Sequence, residues 1–287
     1  MPDLKAIRRR IGSVRSTQQI TRAMEMVAAA KLRRAQDELL ALRPYTRKLS
    51  ELLGQVARAS YGEEHPLLSC RPRRSVLVLG ITSDRGLCGG FNINVVNRLR
   101  ALFRQEEQQA AEPALVLLGR KGTEQLKRDP LRLARRFPLP DPPKLEAVQE
   151  LAAYFIDTFQ RGEADTCLMA FNRFVNAVQQ QVVVEPLLPV QLPAAATALP
   201  TPLPPVPAAE PLEYVYEPHP LGVLELLLPR YVEARLHWAL LESRAAEQGA
   251  RMAAMQGANR NAEQMIERLT LEYNKARQAT ITKELLE

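Results

Sequence analysis

From Arg230 to Glu287 the chain runs without a proline, and Gly249 and Gly257 are its only glycines there. Ala, Glu, Arg, Leu, Met and Gln dominate the stretch, all good helix formers. With residues 221–229 it reads as a single helix on the order of 100 Å long, against ~11–12 residues for an average globular helix. A helix of that length exceeds what one small domain can bury. It must serve as a strut, a coiled-coil arm or a shaft, and it needs a partner.

Residues 3 to about 58 supply one. Asp3 is placed to cap a helix ahead of Leu4. Apolar residues then recur at three- and four-residue steps through Ile7, Ile11, Val14, Ile20, Met24 and Val27, and on through Leu39, Leu42, Tyr45, Leu49 and Leu52. That narrow seam fits a coiled-coil strand better than a globular core helix. Pro44 should kink the helix without ending it, because the pattern resumes at once; Gly62 and the Glu-Glu-His-Pro that follows should end it. The C-terminal helix carries a matching seam at Met252, Met255, Met265, Ile266, Leu269, Tyr273 and Ala276. Two such helices at opposite chain ends are expected to pair as an antiparallel two-stranded coiled coil, with the intervening residues mounted on its side.

Those intervening residues alternate strand and helix signals. Strands are expected at 75–82, 114–118, 166–171 and 180–185, the last one antiparallel, with helices at 91–110, 121–127 and 145–160. This is a small α/β domain with a mostly parallel sheet. From Pro186 to Pro220 stand 11 of the 22 prolines, so 193–220 reads as an extended, proline- and alanine-rich linker. The expected organisation is therefore 1–60 N-terminal coiled-coil helix, 61–192 α/β domain, 193–220 linker and 221–287 C-terminal coiled-coil helix.

The formal net charge of +7 is unevenly placed. Residues 1–60 hold 13 Lys/Arg against 5 Asp/Glu, whereas 221–287 hold 9 of each. A basic arm suggests nucleic acid or an acidic protein partner. Arg8, Arg9 and Arg10, then Lys31, Arg33 and Arg34, lack the interleaved aromatics that stack bases, which disfavours the first. Three cysteines without metal or redox spacing, and three scattered histidines, point to no metal site and no disulfide framework. No apolar run is long enough to span a bilayer and the N-terminus has no signal-peptide character, so a cytoplasmic-side protein is expected.

The most specific-looking loop is Thr82–Asn94, TSDRGLCGGFNIN. A small-residue loop between strand and helix is where phosphates are often cradled. It matches neither the P-loop nor the Gly-x-Gly-x-x-Gly pattern. A tight turn is the better reading, with its glycines supplying unusual backbone angles. No catalytic constellation is assembled elsewhere, and Asp84 beside Arg85 reads as a local pair. The chain is expected not to be an enzyme by itself and to need no cofactor.

Three separated stretches carry a resemblance. They are Ile11–Arg34 (IGSVRSTQQITRAMEMVAAAKLRR), Ser83–Asn92 (SDRGLCGGFN), and the pair Ala250–Met255 (ARMAAM) and Leu271–Leu285 (LEYNKARQATITKEL). In this order they resemble the gamma subunits of F-type ATP synthases in their bacterial form, across the whole chain.

The resemblance implies a rotor: a coiled coil entering a hexamer of alpha and beta subunits, and a Rossmann-like α/β domain at its foot beside the epsilon subunit and the membrane ring of c subunits. It implies a subunit peripheral to the cytoplasmic face of the membrane, coupling ion-driven rotation of that ring to ATP synthesis or hydrolysis. By position, Met24, Lys31, Arg33, Arg34, Arg251, Arg277, Gln278 and Thr282 would meet alpha and beta, and Tyr214 and Glu217 would lie at the foot facing epsilon and the c ring. The alternative is a basic coiled-coil scaffold or a nucleic-acid-binding protein. Two departures stand out: the 193–209 segment is longer than the usual connection, and the chain stops soon after Lys283-Glu-Leu-Leu-Glu287, which implies a shorter shaft tip.

Overall fold

A computed structural model describes residues 4–59, 65–127, 129, 131–191, 217 and 219–286. Two helices dominate it. Helix α1 spans Leu4–Ala59 and continues unbroken through Pro44. The last helix, α5, spans Pro220–Leu286 and carries Pro229 in its first turns. At 1.5 Å per residue these are about 84 Å and 100 Å long. They run antiparallel: Thr21 and Glu25 meet Asn259, and Glu38 meets Arg244.

The seam differs in phase from the bulkiest sequence pattern. Ile20 and Val27 are 58% and 57% exposed, and Met265 is 45% exposed. Thr21, Ala28, Leu32 and Ala35 are buried in place of Ile20 and Val27, whereas Leu39, Leu49, Met255 and Leu269 are buried as the seam required, with Trp238, Leu241, Ala245 and Ala262 buried on α5. The steps from 21 through 28, 32, 35 and 39 form a heptad in which small residues take several inward positions, so the helices approach closely. β-branched bulk at 20 and 27 sits one residue, about 100°, away from that seam.

Between the long helices lies a five-stranded sheet ordered β3-β2-β1-β4-β5. Its strands are β1 Ser75–Ile81, β2 Glu112–Leu118, β3 Leu133–Phe137, β4 Thr166–Phe174 and β5 Gln180–Leu188. The first four are parallel, and β5 pairs antiparallel with β4, from Phe174 opposite Gln180 to Cys167 opposite Leu188. Among the described residues three helices complete the body: α2 Phe91–Gln108, α3 Arg120–Gln125 and α4 Leu145–Gln160. The sequence did not point to β3. It is an edge strand, LARRF, exposed except at Phe137, so it lacks the apolar run or alternation that marks a buried strand. Its Arg135 lies over the rings of Phe137 and Tyr154.

Strand β1 divides the core by parity. Val76 and Val78 point toward α2, among Val95, Leu99 and Phe103. Leu77, Leu79 and Ile81 point the other way, among Phe155 and Phe159 of α4, Leu53 and Val56 of α1, and Leu228, Val232 and Leu236 of α5. The lower shaft is thus a layer of the body's own core. Burial of that shared apolar surface, at about 25 cal/mol per Å², holds body and shaft as one unit.

Candidate functional site

The strand order reverses beside β1: the chain steps outward to β2 and β3, then returns to place β4 on the other side. In open α/β sheets the crevice at the carboxyl ends of the strands flanking such a reversal is where nucleotides bind. Here that crevice is occupied by the 83–90 loop and the middle of α5.

The side chains at the base of the loop bond within the protein. The Thr82 hydroxyl donates to the Leu118 carbonyl at 2.7 Å and accepts the Gly122 N–H at 3.1 Å. Any Cβ on Gly119 (φ +91°) would lie 2.2 Å from the Thr82 carbonyl oxygen, so glycine is required there. The Ser83 N–H donates to Asn92 Oδ1 at 2.9 Å, and Asn92 Nδ2 donates to the Ser83 hydroxyl at 2.8 Å. The Ser83 hydroxyl in turn donates to the Arg85 carbonyl at 2.7 Å. Asp84 accepts from the Arg120 N–H at 2.9 Å, so its partner is Arg120 and not its neighbour Arg85. These side chains are engaged with one another and with neighbouring backbone, as in a tight turn.

The loop is also docked on the shaft. Arg251 is buried, ion-paired to Glu247 at 2.7 Å, and donates to the Arg85 and Gly86 carbonyls at 3.4 and 3.3 Å. Cys88 and Phe91 pack on Ala246 and Ala250, with Phe174 alongside. Burial pushes the Glu247 carboxyl and the Cys88 thiol up from their ordinary values; the Arg251 charge pulls Glu247 back down in part.

Further contacts tie α5 to its surroundings nearby. Arg244, its side chain 14% exposed, bridges Glu38 of α1 at 2.5 Å and Asp141 of the β3–α4 connection at 3.0 Å. Lys31 of α1 reaches the other oxygen of Asp141 at 3.7 Å. The Glu242 carboxylate accepts the Phe174 N–H at 2.8 Å, and burial raises its proton affinity. Arg235 pairs with Glu185 at 2.7 Å, and Arg173 pairs with the same carboxylate. A groove of about 420 Å³ opens between α1, β4–β5 and α5, lined by Arg33, Arg43, Arg173, Glu185, Trp238 and Glu242 among others. Among the described residues no group of His, Cys, Asp or Glu is arranged to hold a metal.

The sequence-derived candidates divide accordingly. Arg251 pairs directly with Glu247 at 2.7 Å, whereas Lys31 pairs with Asp141 at 3.7 Å and only adds to the charge that favours the Glu247 carboxylate. Arg251 is turned inward and engaged within the chain. Met24 is half-buried on α1, whereas Arg33 and Arg34 project outward. Arg277, Gln278 and Thr282 lie exposed near the far end of α5, where the Thr282 hydroxyl donates to the Gln278 carbonyl at 2.9 Å. Glu217 is exposed, and Tyr214 lies outside the described residues. Sequence reasoning missed Glu38, Asp141, Glu185, Glu242, Arg244 and Glu247. One signal was available: Glu247 stands four residues before Arg251, a favourable spacing for an intrahelical ion pair.

A family model described as ATP synthase matches residues 3–287. The chain is 43% identical over 288 residues to the "ATP synthase gamma chain" of Pelotomaculum thermopropionicum, covering all of this chain and 97% of that one. It is 42% identical over 288 residues to the protein of the same name from Acidithiobacillus ferrooxidans, with the same coverage. Among solved structures it is similar to a chain of the Tetrahymena thermophila mitochondrial ATP synthase central stalk and c-ring, with a TM-score of 0.61 and 25% identity, covering 83% of this chain and 99% of that one. A chain of the Euglena gracilis mitochondrial ATP synthase shares the fold with a TM-score of 0.62 at 17% identity, covering 99% of this chain and 91% of that one.

Proposed function

The chain belongs to the ATP synthase gamma-chain family, and from that premise we infer that it is the central rotor shaft of an F-type ATP synthase, a non-catalytic subunit. It couples ion-driven rotation of a membrane c ring to ATP synthesis or hydrolysis in a surrounding hexamer of alpha and beta subunits. The observation that carries this reading is the union of an antiparallel helix pair with an α/β body whose ligand crevice is filled by the shaft itself. Such a body is built to move with the helices.

The complex is membrane-associated, and among the described residues no helix is long and apolar enough to cross a bilayer. Attachment then runs through the c ring and the epsilon subunit at the foot, where Tyr214 and Glu217 would lie, on the cytoplasmic face. The division into 1–60, 61–192, 193–220 and 221–287 follows the same logic of two shaft strands, a body and a connection. Arg33, Arg34, Arg277, Gln278 and Thr282 are the outward-facing residues we assign to alpha and beta, with Met24 and Lys31 half-buried beside them. Acidic surfaces on the partners would complement the basic α1. Arg251 acts on those partners only through the loop it holds. The comparisons give the basic scaffold and nucleic-acid alternatives no support.

Reconstitution with alpha and beta subunits tests the reading. ATP hydrolysis by the assembled complex should require this chain, and an alpha–beta complex that turns over equally well without it would overturn the rotor assignment. Arg33→Glu with Arg34→Glu should weaken assembly or coupling while leaving the body folded.

A further inference from the structure

Shaft and body share an apolar core, but apolar contact is non-directional, and alanines at 239, 245, 246 and 250 leave much of this part of α5 smooth. A rotor must pass torque across that junction in both directions. Successive residues of an α-helix are about 100° apart, which places Arg235 and Glu242 within about 20° of one another on one flank of α5. Arg244 and Arg251 then fall within about 20° of each other on the opposite flank. The partners divide in the same way. Arg235 and Glu242 hold the β4–β5 pair, through Glu185 and the Phe174 N–H. Arg244 and Arg251 hold the connections that follow β3 and β1, through Asp141 and through the Arg85 and Gly86 carbonyls.

We propose that these two opposed rows form a torsional clamp that fixes the angle of the shaft relative to the body, with Arg244 as its central positioning residue. The proposal rests on the rotor reading. Rolling α5 either way stretches one row of directional, charge-assisted bonds, so the clamp resists torque of both signs. Arg244 is central because its guanidinium joins all three parts: α5 carries it, Glu38 belongs to α1, and Asp141 belongs to the body. Lys31 holds the same Asp141 from α1, which closes the bridge.

The test uses the whole ATP synthase in sealed vesicles, with ATP hydrolysis and the ATP-driven membrane potential measured on the same preparation. Arg244→Ala should leave unloaded hydrolysis at the wild-type rate. Losing a charge-assisted bond should raise the slipped population about tenfold, so the potential sustained per ATP falls, and the deficit widens as the opposing potential grows. A merely structural role would lower both readouts together. If Arg244→Ala fails to assemble, Asp141→Asn breaks the same bridge at a half-exposed loop side chain, and its ratio of potential to hydrolysis decides. A wild-type ratio at every load in the variant that assembles overturns the clamp. Wild-type complex that hydrolyses ATP but builds no potential counts against the rotor reading instead.

Discussion

Replacing Arg251 with methionine keeps most of the side chain's length and apolar stem while deleting its charge. Arg251 and Glu247 are 10% and 13% exposed at the side chain, so the pair is effectively buried. Breaking a buried pair from one side costs about 3–5 kcal/mol, because the remaining charge is left without compensation. The two carbonyls of the 83–90 loop also lose a donor, but at 3.3–3.4 Å those bonds are long and add less than about 1 kcal/mol. Glu247 limits the penalty by taking up a proton. Burial already raises its proton affinity, and Arg251 is the main influence opposing that rise. A carboxyl whose folded pKa is raised binds more protons folded than unfolded, so it destabilises progressively as pH rises above its ordinary value of 4.5 and costs nothing below it. Each further unit of upward shift in the variant adds about 1.4 kcal/mol at pH values above the folded titration. The deficit of Arg251→Met relative to wild type should therefore grow between about pH 5 and about pH 8, and adding Glu247→Gln should remove the pH-dependent part. Urea unfolding of the full chain, followed by fluorescence of Trp238, gives the measurement. Trp238 is the only tryptophan and is buried where α5 meets α1. A deficit under about 1 kcal/mol at the higher pH, or the same deficit at both, would refute the reasoning.

Other substitutions test separate parts of the structure. Gly119→Ala places a Cβ against the Thr82 carbonyl at a left-handed backbone position, and should cost about 2 kcal/mol or more, read as a lower urea midpoint at constant slope. The phase of the shaft seam predicts that Ile20→Ser changes stability by less than about 0.5 kcal/mol, whereas Leu32→Ala costs about 2–4 kcal/mol. In native protein at neutral pH a maleimide should label Cys70 rapidly and leave Cys88 and Cys167 largely unmodified, because Cys70 is exposed and burial pushes the other two thiols up. Mass spectrometry before and after denaturation counts the sites, and three fast thiols in the native protein would contradict the packing.

Much of the architecture was legible because long-range order here follows local pattern. Helix α4 coincides with its expected span, and β1, β2, β4 and β5 each begin within two residues of expectation or include it, since fully buried strands announce themselves as runs such as Ser75-Val-Leu-Val-Leu-Gly-Ile81. Strand β3 was invisible because an edge strand needs no apolar face. The seam was right at Leu39, Leu49, Met255 and Leu269 but mis-phased near 20–35, because a search for bulk selects Ile20 and Val27, while close helix packing selects Ala28 and Ala35. The junction was the least legible part. Glu38, Asp141 and Arg244 are far apart in sequence, and nothing about an Arg on a charged helix distinguishes an interhelical bridge from a solvated side chain. The 83–90 loop reads as a tight turn, but its neighbour Arg251, expected to contact alpha and beta, is buried against the Arg85 and Gly86 carbonyls.

The alanine-rich seam has a mechanical consequence. Beyond Asn259 the buried contacts of α5 are with α1, at residues such as Ala262 and Leu269, and a pair of close-set helices makes a slender rod. Stiffness against twist falls steeply as a rod narrows. Windup under load would therefore concentrate in this upper length, where α1 runs beside α5 for about 30 Å from the level of Asn259 to Leu4 at 1.5 Å per residue. The thick lower end, where the rod is keyed into the sheet, turns almost as a solid piece. Grip and spring occupy successive lengths of the same helix, and a change in one need not alter the other.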